Sequence, residues 1–139
     1  MKMILFILVF LPSMTAMGCS QLNNHYYCPE EAEDHFYLGS RHLSLSFDSE
    51  KQIMTMTQGT NINSYPLDHW QPVPGTHTFR KAHCVESKIN LFEKFDSPIE
   101  TEVTTIDAEL ELILRDDGVT VRRLMNKQEV FNIFCKKTL

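Results

Sequence analysis

Several histidines in this chain are of a type and spacing that could hold a metal ion. The sequence contains six of them: His25, His35, His42, His69, His77 and His83. Imidazoles on loops and strand ends can converge on one ion, which makes His69, His77 and His83 a candidate set. No HExxH or similar pattern joins them, so the spacing is more typical of scattered surface histidines. We predict no metal and no other cofactor.

Residues suited to hydrolysis are also present, without the pattern that hydrolysis requires. Ser40 lies two residues before His42, and residues two apart face the same side of a strand. No Gly-x-Ser-x-Gly turn surrounds the serine. Asp107, Glu109 and Glu111 would share a strand face, but such a row is more typical of the solvent-facing side of a half-buried sheet. We therefore predict no catalytic residues, and a secreted hydrolase or metal-dependent enzyme is only the third hypothesis.

Residues 59–76 form the best candidate for a binding surface. This segment contains the only tryptophan of the chain, Trp70, together with Tyr65, Pro66, Pro72 and Pro74. Prolines are excluded from central strands and helix interiors, so we predict a long loop stiffened by prolines. Tryptophan and tyrosine are enriched at binding hot spots, and we predict that Tyr65 and Trp70 contact a partner. The alternative is that Trp70 folds back and plugs the open end of a sheet.

The chain contains four cysteines, Cys19, Cys28, Cys84 and Cys135. No CxxC spacing occurs, so the sequence supports neither a zinc knuckle nor a thioredoxin-like motif. Outside the cytosol cysteines pair, and four of them allow three connectivities. We predict a Cys28–Cys135 disulfide, which would hold the last strand to the N-terminal segment. If Cys19 is modified, Cys84 is left as an unpaired, buried thiol.

The first eighteen residues have the pattern of a secretory signal peptide. Lys2 precedes an apolar run over 3–11, Pro12 interrupts that run, and small residues follow. The run is shorter than the roughly 20 apolar residues that span a bilayer, so a permanent transmembrane anchor is the weaker interpretation. We predict cleavage of residues 1–18, just before Cys19. Plain secretion after this cleavage is one of two outcomes.

The other outcome is a lipid anchor. The sequence Ala16-Met17-Gly18-Cys19 resembles the lipobox of bacterial lipoproteins. In that class the cysteine thiol carries a lipid with acyl chains such as palmitate, and the cysteine becomes the first residue of the mature chain. The resemblance implies that Cys19 is lipidated, and Ser20 after it implies the outer membrane. Two or three acyl chains would give stable anchoring, since each buried methylene contributes about 0.8 kcal/mol.

Alternation of apolar and polar residues predicts strands through most of the chain. Leu43, Leu45 and Phe47 alternate with serines, and a second strand follows at 52–58. Strands are also predicted at 79–85, 88–95, 119–124 and 130–135, with a turn at 96–98. Ala108, Leu110, Leu112 and Leu114 alternate with Glu109 and Glu111, just before an Asp117-Gly118 hairpin signal. A helix over 106–114 is the alternative, because Ala, Glu and Leu are good helix formers.

These strands predict an all-β fold, a small antiparallel β-sandwich, barrel or meander. The predicted organisation is a signal peptide at 1–18, a tether at 19–35 and a single β domain at 36–139. The predicted core consists of Leu43, Leu45, Phe47, Leu110, Leu112, Leu114, Val121 and Phe134.

The net charge and the order of motifs along the chain favour a binding function. The formal net charge is −5 and no basic block is present, so nucleic-acid binding is disfavoured. The Tyr26-Tyr27-Cys28 start, the meander and the late Cys135 loosely resemble small periplasmic lysozyme-inhibitor lipoproteins, although their Ser-rich loop is not recognisable. We predict an envelope-anchored, outer-membrane lipoprotein that binds a macromolecule such as a protein. The alternative is a structural or assembly accessory of the envelope.

Overall fold

The structure is a computed structural model that describes residues 19, 22–34, 39–99 and 102–138. Residues 1–18, on which the predicted signal peptide falls, lie outside the described residues, as do Ser20 and His35. The described elements in chain order are β1 (Asn23–Tyr27), α1 (Glu31–Asp34), β2 (His42–Asp48), β3 (Ile53–Gln58), β4 (Asn61–Pro66), β5 (Gln71–Pro72), β6 (Thr78–Val85), β7 (Lys88–Ile99), β8 (Glu102–Arg115), β9 (Gly118–Met125) and β10 (Gln128–Lys137).

The all-β prediction is confirmed. Within the described residues, ten strands form one antiparallel sheet in the order β4-β3-β2-β1-β10-β9-β8-β7-β6-β5. Neighbouring strands of this sheet are also consecutive in the chain, except for β1 and β10. No described helix has the length and apolar character needed to cross a membrane.

The predicted tether at 19–35 is wrong for its central part. β1 lies inside the sheet, paired with β2 along its whole length and with β10 at Tyr26 and Tyr27. Of its side chains, that of Tyr26 is buried. Asn, His and Tyr show little apolar alternation, so this strand forms because partners are available on both sides. Cys19, ahead of it, is also buried in the core.

One face of the sheet, which we call the inner face, contains the hydrophobic core. The core prediction is confirmed for five buried residues, namely Leu43, Leu45, Leu110, Leu112 and Val121. Phe47 and Leu114 pack against this core while partly buried. Burial alternates along β2 and β3 as a half-buried strand requires. The opposite side, the outer face, carries most of the charged residues.

Phe134 is a wrong assignment to the core. Its neighbour Cys135 pairs with the buried Val119, so Cys135 faces inward and Phe134 faces outward. The Phe134 ring lies against Gly118 on the outer face, where a Cβ atom on Gly118 would clash with the ring and with the Cys135 carbonyl oxygen. Gly118 is therefore required for close packing of β9 against β10.

The choice of strand over helix for 108–114 is confirmed by β8. The hairpin that follows differs in detail, because Arg115 pairs with Gly118 and the turn consists of Asp116 and Asp117. The predicted turn at 96–98 is wrong, since β7 continues to Ile99. β6 pairs with β7 only as far as Phe95, so the later part of β7 is an edge, where proline is tolerated.

The segment 59–76 is not the long loop that its prolines predict. Residues 61–66 form β4 at one edge of the sheet, and 71–72 form β5 at the other. Both prolines in these strands occupy edges, which is where a strand accepts them. Between them, Leu67 forms a parallel bridge with Ala82, and the Asp68 amide donates to the Ala82 carbonyl at 2.8 Å. The two edges therefore approach each other and the sheet curls around its core, although the described strands do not close into a barrel.

All four cysteines lie in the described residues and form two disulfides. The predicted Cys28–Cys135 pairing is present, joining the end of β1 to β10. The expectation that Cys84 is an unpaired thiol is wrong, because Cys84 on β6 is bonded to Cys19. Each bridge therefore connects the N-terminal segment to a distant strand of the sheet.

Candidate functional site

The two residues predicted to form a recognition surface lie on opposite faces of the sheet. Tyr65 is on the inner face and is only 5% exposed, whereas Trp70 is 36% exposed. The Trp70 ring contacts Phe92, whose chain neighbours Leu91 and Glu93 face inward, so it lies on the outer face. Tyr65 and Trp70 therefore cannot contact one partner together.

Trp70 lies at the centre of an aromatic and cationic surface. We name this surface, formed by Trp70, Phe79, Lys81, Phe92 and Lys94, the Trp70 patch. The ammonium groups of Lys81 and Lys94 are 4.9 and 4.6 Å from the centre of the Trp70 ring. The Phe92 and Trp70 ring centres are 6.3 Å apart. Phe79, which is paired with Lys94 in the sheet, is 46% exposed.

A shallow cavity of about 190 Å³ adjoins the Trp70 ring. Trp70 and Phe92 form its aromatic wall, while Asp107, Glu109 and Lys127 supply charges around it. Trp70 remains 36% exposed while two lysine ammonium groups contact its ring, so a partner could contact this aromatic side chain. The alternative interpretation predicted that Trp70 plugs the open end of the sheet. The ring lies on the outer face and does not do so.

The inner face ends instead in a polar cavity of about 270 Å³. We call it the inner cup and define it by Gln58, Tyr65, Arg80, Glu93 and Arg123. Arg80 donates from Nε to Glu93 Oε2 at 2.8 Å, and its guanidinium lies 5.4 Å from the centre of the Tyr65 ring. The side chains of Arg80 and Glu93 keep 19% and 23% of their surface exposed, so solvent reaches the cup.

Burial controls the ionisation of the tyrosine in the inner cup. Burial, aided by the nearby Glu93 carboxylate, raises the pKa of Tyr65 to about 12, although Arg80 and Arg123 act in the opposite direction. The phenol is therefore neutral at physiological pH and available as a hydrogen-bond donor. Two guanidinium groups and one carboxylate leave the inner cup with an excess of positive charge.

Sequence reasoning missed the inner cup, although a signal for it exists. Arg80 is two residues before the buried Ala82, and Glu93 is two residues after the buried Leu91. Arg123 likewise follows the buried Val121 in phase. Residues two apart share a strand face, so each charged residue lies in phase with a buried row. Such charges are expected inside the sheet, and three of them on separate strands indicate a polar cavity.

The histidines predicted as possible metal ligands do not form a ligand set. Nδ1 of His83 lies 2.7 Å from Asp68 Oδ1, while Nδ1 of His69 lies 2.8 Å from the Leu67 carbonyl oxygen. His77 is exposed. Within the described part of the chain, no group of three or more potential ligands could hold a metal ion.

The serine and carboxylate candidates have structural partners. The Ser40 hydroxyl accepts the His42 amide at 3.1 Å, which is a local turn contact. Glu109 accepts from Asn90, and Asp107 is exposed. The prediction of a uniformly solvent-facing acidic row is wrong at Glu111, which is only 8% exposed. That carboxylate is held by Lys88 at 2.9 Å and by an arginine of β9.

Comparison of the chain with known proteins found no matching family model, no matching curated protein and no matching solved structure.

Proposed function

We propose that this protein is exported to an oxidising compartment and works there as a binding module, with the Trp70 patch as its recognition surface. The two disulfides are compatible with a location outside the cytoplasm. The partner we infer is a protein segment that presents acidic side chains beside an apolar one. The observation that carries this proposal is the exposed Trp70 ring, which contacts the ammonium groups of two lysines.

Charge and exposure support this choice of partner. Lys81 and Lys94 orient the Trp70 ring, and each ammonium keeps donors that can reach a carboxylate. The exposed Phe79 extends the apolar area beside them. An aromatic residue at the centre with charged groups at the rim is the usual composition of a protein-binding hot spot.

The patch is also separable from the core. Trp70 is not a member of the buried cluster, and its ring contacts Phe92 and two lysines. Each exposed cation–π pair contributes only about 0.5–1 kcal/mol. Removal of the ring should therefore leave most of the folding free energy intact, and a binding defect can be measured on folded protein.

The first experiment compares partner recovery by wild type and Trp70→Ala in affinity pull-downs from a native envelope extract. We expect the variant to lose at least about 2 kcal/mol of binding, roughly thirtyfold in affinity. Lys94→Glu should reduce recovery of the same partner, and added salt should weaken wild-type binding, because an acidic partner is attracted by exposed charge. Ile62→Ala is the matched control, since Ile62 is 69% exposed on the other edge strand.

A large fall in the melting temperature of Trp70→Ala with recovery unchanged would assign the ring to stability. Equal loss with Ile62→Ala would show that the contact is not specific to the patch. Unaltered recovery with Lys94→Glu would contradict the inference that the partner is acidic. An absence of any specific partner would favour the alternative role, a structural accessory of the envelope.

The lipid anchor predicted from the lipobox competes with the Cys19–Cys84 bridge. One sulfur cannot carry an acyl-glyceryl thioether and a disulfide together, and Cys19 is buried at 1% exposure in its bridge. The bridge supports the secreted alternative. We expect non-reducing peptide mapping of the exported protein to yield a linked Cys19–Cys84 peptide. A diacylglyceryl mass on Cys19, together with release from membranes by Cys19→Ala, would instead establish a lipid anchor.

A further inference from the structure

We propose that the inner cup binds a small molecule with a carboxylate head and a short apolar tail. This site lies on the face of the sheet opposite the Trp70 patch and is independent of the function proposed for that patch. The open end of a curled sheet is a common place for such a site.

The inner cup provides the groups that a carboxylate head requires. Arg80 and Arg123 come from two different strands, β6 and β9, and both line the cavity. Arginine binds carboxylates through paired donors in a fixed planar geometry. The neutral Tyr65 hydroxyl adds a further donor. Gln58, only 7% exposed, donates its amide to the Met56 sulfur at 3.6 Å, a weak acceptor that a carboxylate oxygen could replace.

The remaining wall of the inner cup suits an apolar tail. Met56, Phe95 and Met125 line the same cavity. Methionine side chains adapt to irregular apolar ligands because they are unbranched and flexible. A volume of about 270 Å³ admits a chain of several methylene groups and excludes a large ligand.

Glu93 acts in this proposal as a competitor that keeps Arg80 paired while the cup is empty. Its carboxylate occupies one donor of Arg80 at 2.8 Å, and it faces the same cavity. An incoming carboxylate would share or replace that contact. If the Arg80–Glu93 ion pair only stabilises the fold, removing the Glu93 carboxylate should not tighten the binding of another carboxylate. The proposal expects that it does.

The probe is sodium octanoate, titrated into the exported protein with both disulfides formed and followed by calorimetry. We expect binding with a Kd below about 1 mM, and binding of uncharged 1-octanol at least tenfold weaker. Arg123→Met should weaken octanoate roughly tenfold or more and remove the preference over octanol. Glu93→Gln should tighten octanoate by roughly tenfold, because Arg80 is released from its carboxylate.

The matched control is Arg122→Met. Arg122 is the neighbouring residue on the outer face, where it pairs with Glu111 and Glu129, so octanoate binding should be unchanged. Thermal denaturation confirms that each variant is folded before titration. Equal affinity for octanoate and octanol, or a Glu93→Gln variant that binds octanoate no more tightly than wild type, would overturn the proposal. So would equal effects of Arg122→Met and Arg123→Met.

Discussion

Replacing Cys28 and Cys135 together with serine is expected to lower the free energy of unfolding by about 4–5 kcal/mol in the chain-entropy model. The two cysteines are 107 residues apart, so their bridge removes much of the conformational freedom of the unfolded chain. A loss of this size is a large fraction of the 5–15 kcal/mol that stabilises a typical domain. Equilibrium denaturation in urea measures it directly.

The position of this bridge adds a local effect. β1 pairs with β10 at Tyr26 and Tyr27 only, whereas β1 pairs with β2 along its whole length. Among the described strands, only the edge pairing of β5 with β6 is as short as the contact between β1 and β10, and the Cys28–Cys135 bridge holds that contact together. In the double-serine variant, amide hydrogen exchange in β1 should accelerate more than exchange in β8 and β9.

The other bridge supplies the control. Cys19 and Cys84 are 65 residues apart, so replacing both with serine should cost nearly as much global stability in the same model. This variant keeps the disulfide between β1 and β10. Amide hydrogen exchange in β1 should therefore not accelerate more than exchange in β8 and β9. Identical exchange patterns in the two double variants would contradict the local role assigned to the Cys28–Cys135 bridge.

The strand pattern was predictable wherever one face of a strand is buried. Leu43, Leu45 and the alternating residues of β8 show the period of two because the core requires it. The strands predicted at 119–124 and 130–135 require a short turn between them, and Asn126 and Lys127 lie in it. Both residues have positive φ angles, 47° and 66°, which the short hairpin between β9 and β10 requires.

β1 was not predictable by the same means. Its sequence, NNHYY, has little apolar periodicity, and its place between β2 and β10 depends on residues far away in the chain. Edge prolines misled the prediction in the opposite direction. Pro66 and Pro72 are compatible with strands because those strands lie at sheet edges, and edge position is a property of the whole topology.

The candidate sites were only half predictable. Trp70 was identified by residue type, but its partners Lys81 and Lys94 come from strands that the sequence does not place beside it. Tyr65 was assigned to the same surface because the path of the chain between residues 65 and 70 cannot be derived from alternation. The inward direction of the inner-cup arginines was predictable from alternation, since Arg80 lies on the same face of β6 as its buried residues.

Replacing Leu112 with alanine is expected to destabilise the protein by about 3–5 kcal/mol, the upper part of the range for buried leucines. Leu112 is fully buried and lies between Ile89 and Val121 on the two neighbouring strands, which are fully buried as well. These neighbours belong to long, doubly paired strands that cannot move inward without breaking hydrogen bonds. A cavity left at this position should therefore stay open, and its cost should be retained in full.

The matched variant is Ile113→Ala, one residue along β8. Ile113 is half-buried on the outer face, and the truncation there removes less buried surface and leaves no enclosed cavity, so we expect a loss of about 1 kcal/mol or less. Urea denaturation of both variants measures the difference across the sheet. Equal losses would contradict the difference in burial between the two residues. Because β8 carries leucines inward and acidic residues outward, a larger loss for Ile113→Ala than for Leu112→Ala would mean that its register is shifted by one residue. A one-residue shift would exchange the two faces of β8 and place Glu111 among the core leucines.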